Sequence, residues 1–83
     1  MIEKLREQID NLDNEIIRLL DARFDCSKAI GEEKKKLNAQ VLDSSREQKI
    51  LDKVDSLSQK EHSQYIQEVY KKIMEQSRLY QGK

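Results

Sequence analysis

Proline and tryptophan are absent from this chain, and glycine occurs only twice among its 83 residues. The turn residues that punctuate sandwiches and barrels are thus missing, and no segment shows the strict alternation of a half-buried strand. Charge of one sign is missing as well: 16 basic side chains face 16 acidic ones, for a formal net charge of zero. That balance argues against a nucleic-acid binder working by counterion release, and Lys34, Lys35 and Lys36 form only a short basic run. No apolar run approaches the roughly 20 residues needed to span a bilayer. The amphipathic start of the chain mixes acids with bases and is not a signal peptide. Cys26 is the lone cysteine; it lies on an apolar stripe and reads as a small core residue in a reducing cytoplasm. His62, the only histidine, falls too far along the chain to make it a nucleophile.

What remains is one small, soluble, all-α unit of three helices. Charged residues make up 39% and hydrophobic residues 36%, which is lean for a self-sufficient core at this length, so a partner subunit is expected. Leu5, Ile9, Leu12, Ile16, Leu19, Cys26, Ile30 and Leu37 recur at steps of three and four, predicting one buried helix face over about 3–37. Gly31 interrupts it only in propensity, by about 1 kcal/mol relative to Ala. After a short connector, Ser44 with Glu47 has capping-box spacing, and Ile50, Leu51, Val54 and Leu57 share a face, predicting a helix over about 44–57. Ser58 with Glu61 repeats the signal and opens a third helix over about 59–81, carrying Tyr65, Ile66, Val69, Tyr70, Ile73 and Met74. A first helix of that length spans about 52 Å, whereas a compact globule of this size is about 30 Å across. It must protrude, and its projecting end keeps an apolar seam. The economical architecture is an intertwined symmetric homodimer.

Two cations break the first stripe. Arg23 and Lys34 occupy positions where a hydrophobic residue is expected. They point within roughly 20° of each other, about 16 Å apart along the axis. Burying unpaired charge costs several kcal/mol per ion, so an anion is the expected occupant between them. The alternatives are a snorkelling arginine with a lysine at a frayed end, or salt bridges to Asp21 or Glu33, which lie off the shared face. Ser77 and Gln81 continue the third helix's apolar stripe as polar groups, either facing water at a fraying end or lining the same site. Asp43, Arg46 and Glu47 are open to two readings as well: a cap, a solvated first-turn residue and a capping-box partner, or pocket residues.

Taken in order, Leu5, Arg6, Ile9, Leu12, Asp13, Ile16, Ile17, Leu19, Leu20, Arg23, Ile30, Gly31, Lys34, Val41, Asp43, Arg46, Glu47, Ser77 and Gln81 resemble the all-helical chorismate mutases of the bacterial shikimate pathway. The resemblance covers almost the whole chain, although the segment between the second and third helices is slightly shorter than in some members. It implies conversion of chorismate to prephenate on the route to phenylalanine and tyrosine. It also implies a pocket lined by Arg6, Arg23, Lys34, Asp43, Arg46, Glu47, Ser77 and Gln81, with no cofactor or metal.

By the same resemblance Arg6 comes from the other subunit and clamps a substrate carboxylate, as does Arg23. Lys34 and Gln81 donate to the ether oxygen, and Glu47 accepts from the ring hydroxyl. Asp43 and Arg46 order that side, while Ser77 contacts a carboxylate. Helix geometry independently keeps Arg6 away from its own Arg23, since 17 residues separate them by about 25 Å and roughly 100° of rotation.

Two other functions compete. An isochorismate-pyruvate lyase shares the fold and much of the cationic clamp, but that related group does not keep the Asp-x-x-Arg-Glu segment that is intact here at Asp43, Arg46 and Glu47. A mutase-like regulatory domain of a fusion enzyme would bind without turnover. A purely structural coiled coil leaves Arg23, Lys34, Ser77 and Gln81 unexplained.

Overall fold

A computed structural model describes residues 1–82, which form three α-helices: α1 (Ile2–Lys36), α2 (Ser44–Leu57) and α3 (Lys60–Gln81). No strand occurs among the described residues. None of the helices is long and apolar enough to cross a membrane. α1 ends in a Schellman turn. Asn38 takes the left-handed conformation (φ 53°) that Asn tolerates, its N–H donates to the Lys35 carbonyl, and the Ala39 N–H donates to Lys34 at 2.8 Å. This turn sends the connector back along α1 and brings the Val41 carbonyl within 2.7 Å of the Lys34 Nζ.

Both capping boxes expected from the sequence are displaced. Asp43, not Ser44, caps α2: its carboxylate accepts the Arg46 N–H at 3.0 Å. Glu47 is then one position too far into the helix to reach back to the cap, and it turns towards α3 instead. Ser58 does not open α3. Its hydroxyl donates to the Val54 carbonyl at 2.7 Å and so closes α2, while Gln59 sits at the α3 N-cap with no side-chain bond.

α1 and α2 each pack on α3 and not on each other, so α3 is the middle element. The face of α1 that meets it overlaps the apolar stripe expected to be buried only at Arg23 and Lys34. Half-buried Leu20, Arg23, Phe24 and Lys34, with buried Ser27 and Gly31, form the inward face. Its centre lies roughly 50° around the helix from that of the stripe of Leu5, Ile9, Leu12, Ile16 and Leu19. The stripe is open in the single chain, with Leu12 61% exposed, and Cys26, Ile30 and Leu37 on its continuation are exposed too.

Gly31 explains the close approach on the other face. A Cβ there would stand 3.0 Å from the Gln81 Cα and 3.1 Å from its carbonyl oxygen, so only glycine lets the last turn of α3 come this near. Phe24 and Tyr80 pack edge to face at 5.8 Å and pin the same junction.

The intrachain core is slight. Among the described residues, Val54 and Met74 are the only buried hydrophobic side chains. The surface of 7193 Å² exceeds by about 2,000 Å² the ~5,200 Å² expected of a compact monomer of 9.8 kDa. The radius of gyration of 15.4 Å likewise exceeds the ~12 Å of a globule this size.

Candidate active site

Where α1, the connector, α2 and the end of α3 converge, they leave a pocket of about 400 Å³. Its size suits a small organic ligand. α1 supplies Arg23, Ser27 and Lys34, the connector Val41 and Asp43, α2 Arg46 and Glu47, and α3 Ser77, Arg78 and Gln81, with Ile30, Ile50 and Met74 as apolar wall. Seven of the eight site residues expected from the sequence therefore meet in one cavity of one chain. Arg6 is not among the lining residues; it is exposed on the projecting part of α1.

Each of the two pocket cations on α1 is already held. Arg23 Nη1 donates to Ser77 Oγ at 3.0 Å, and the guanidinium lies 6.0 Å from the Tyr70 ring centre, within cation–π range. Lys34 is fixed by its bond to the Val41 carbonyl, which engages one of its three donors. Neither lies against a carboxylate partner on its own helix; the salt bridges considered for Asp21 and Glu33 do not form with them, and Glu33 pairs with Lys36. Ser77 is buried, with the Ser27 hydroxyl 3.4 Å away, so the end of α3 is packed and does not fray into water. The Gln81 Oε1 atom is buried with no hydrogen-bond partner, an orphan that a polar ligand or a turn of the amide would satisfy.

On the opposite wall, the Arg46 N–H holds the Asp43 carboxyl below its ordinary value, helped by Ser45 and by the charges of Lys34 and Lys49. Asp43 is thus both a helix cap and a pocket residue. Glu47 meets Arg78, whose Nη1 lies 2.6 Å from Oε1 and 2.5 Å from Oε2. Four cationic side chains line the cavity against two carboxylates, an excess of two positive charges in a neutral chain.

Two lining residues escaped the sequence reading. Ser27 stands one position past Cys26 on the stripe, where small polar residues attract no notice. Arg78 lies about 100° from Ser77 on α3. Only its partner Glu47, 31 residues earlier, marks it out.

Residues 5–82 match the family model of chorismate mutase type II. The chain belongs to this family. Among curated relatives, it is 39% identical over 66 residues to the chorismate mutase of Methanocaldococcus jannaschii, covering 76% of this chain and 66% of that protein. The intracellular chorismate mutase of Mycobacterium tuberculosis is 41% identical over 56 residues, or 68% of this chain and 53% of the relative. A bifunctional chorismate mutase/prephenate dehydratase of Buchnera aphidicola is 35% identical over 80 residues, covering 94% of this chain but 21% of the larger protein. The chain spans less than two thirds of the length of these relatives. No solved structure matches it significantly.

Proposed function

We propose that this chain is a chorismate mutase, which converts chorismate to prephenate by an intramolecular Claisen rearrangement in aromatic amino acid biosynthesis, in the cytoplasm. The single observation that carries the reading is the pocket's excess of two positive charges, formed by Arg23, Lys34, Arg46 and Arg78 against Asp43 and Glu47. It complements a substrate with two carboxylates. The reaction breaks the ether C–O bond and forms a C–C bond in one step, so atoms and electrons balance without a nucleophile, metal or proton carrier. The protein has to fold the enolpyruvyl arm over the ring and hold it there, a contribution that reaches several kcal/mol.

Arg23, kept extended by Ser77 and Tyr70, takes one carboxylate through its planar fork. Ser77 Oγ accepts from Arg23, which leaves its own O–H to donate to the same carboxylate. Lys34 has two N–H bonds beyond the one to Val41; these and the Gln81 amide donate to the ether oxygen. Such donors gain strength as negative charge grows there in the transition state, which is what lowers the barrier. Glu47 accepts from the ring hydroxyl, with Asp43 and Arg46 ordering that wall.

The second carboxylate falls to Arg6 of a second copy in a homodimer. The open stripe of Leu5, Ile9, Leu12, Ile16 and Leu19 and the surplus of about 2,000 Å² support this pairing, since about 800 Å² per partner suffices for a standard interface. Loss of chorismate absorbance on adding the purified chain, with prephenate as product, is the expected result. Pyruvate release from isochorismate without prephenate formation would assign the lyase reaction instead. Binding without turnover would make the domain regulatory.

A further inference from the structure

Glu47 is an anion on the wall of a cavity whose other charges suit an anionic ligand, so something has to hold it in place. Left free, its carboxylate would compete with the substrate for Arg23, Lys34 and Arg46, which line the same pocket. Arg78 prevents this. It reaches across from the last turn of α3 to α2, and one of its nitrogens sits between both carboxylate oxygens. The two side chains are 32% and 24% exposed, sheltered enough for the pairing to be firm. A cation in the last turn of a helix already complements the helix dipole and needs no partner for that. The bond to a carboxylate 31 residues away is therefore a separate fact. With a single nitrogen shared by Oε1 and Oε2, each oxygen keeps a lone pair for a hydroxyl donor.

We propose that Arg78 is a positioning residue: it holds the Glu47 carboxylate on the pocket wall, turned towards the substrate's ring hydroxyl and away from the cations that take the carboxylates. The inference rests on the mutase reading above and adds to it a residue outside the eight first expected. Arg78 acts through Glu47 and does not touch the reacting atoms. The last turn of α3 then supplies three groups to one site: Ser77 behind Arg23, Arg78 behind Glu47, and Gln81 at the ether oxygen.

The test compares the native chain with Arg78→Gln, Glu47→Gln and the double variant. In the native background Arg78→Gln should raise KM for chorismate about tenfold with a smaller fall in kcat, and Arg78→Lys should recover part of the loss. In the Glu47→Gln background the same change should alter kcat/KM by less than about twofold. An equal loss in both backgrounds, or no loss in the native one, overturns the proposal. Urea unfolding of the four proteins at one fixed concentration needs no substrate, and it should show a coupling of about fivefold in the unfolding constant. Absence of coupling overturns the pairing even if activity falls. A native chain that folds and does not turn over chorismate would sink the mutase reading, and the unfolding cycle would still decide whether Arg78 holds Glu47.

Discussion

The two halves of α1 use the same helix for opposite purposes. Residues 2–19 are exposed throughout, although Ile2, Leu5, Ile9, Leu12, Ile16, Ile17 and Leu19 lie among them. Residues 20–36 pack on α3, and beside Leu20 and Phe24 the inward face there carries Ser27, Gly31 and two cations where a core would carry further apolar side chains. Apolar surface is thus concentrated where the chain has no neighbour of its own, and polar surface where it has one. On the proposed dimer, the difference teaches that this chain leaves much of its hydrophobic stabilisation for a second subunit and reserves its internal helix contact for the pocket. The slight core around Val54 and Met74 fits that division.

The strongest way to break the comparison is a charge on the first half. Leu12→Glu should give a monomeric or unfolded chain in sedimentation, with activity reduced about a thousandfold or more, because burying an unpaired carboxylate costs several kcal/mol. An active Leu12→Glu dimer would show that the stripe is not an interface. On the second half, Arg23→Ala and Lys34→Ala should each lower kcat/KM by about 10² to 10⁴ while leaving the dimer no less stable. Unfolding of both variants would instead make these cations structural.

That contrast was only half legible in the sequence. Helical periodicity located three helices, and the polar interruptions at Arg23, Lys34, Ser77 and Gln81 pointed to residues that line one pocket. Periodicity marks apolar positions without saying which neighbour covers them, so it does not separate the stripe from the α3-facing side of α1. Their centres differ by roughly 50°. The caps moved for a local reason: Asp43 competes better than Ser44 for the free N–H groups of α2, and Ser58 finds a carbonyl behind it before any N–H ahead. Arg78 was out of reach because its meaning depends on a carboxylate on another helix. Gly31 shows in the sequence only as a break in helix propensity; the Gln81 backbone that requires it is visible only in three dimensions.

A smaller effect sharpens the same boundary. Gly31→Ala places a Cβ 3.0 Å from the Gln81 Cα and has to shift the end of α3 by a few tenths of an ångström, a strain set against the ~1 kcal/mol that Ala gains in helix propensity. Because Gln81 moves with it, kcat should fall more than KM rises; unchanged kinetics would detach Gln81 from the chemistry. Smaller still is the acid limb of stability. The folded value of Asp43 lies below its ordinary 3.8, so the ionised cap stabilises the fold fully above that pH. The contribution is lost as pH falls through the lowered folded value. Asp43→Asn keeps a cap without the titration, so the difference in urea midpoint between native and variant should narrow as pH drops from about 6 to about 3. A constant difference would mean that the carboxylate charge is not what the cap uses.

The central claim is that the first half of one α1 completes the pocket built by the second half of another. Mixing inactive Arg6→Ala and Arg23→Ala protomers, with subunit exchange, tests it most directly. Half the dimers are then mixed and each holds one intact pocket, so about a quarter of native activity should return. No recovery, with exchange verified, would contradict the account and leave Arg6 without a role across the interface.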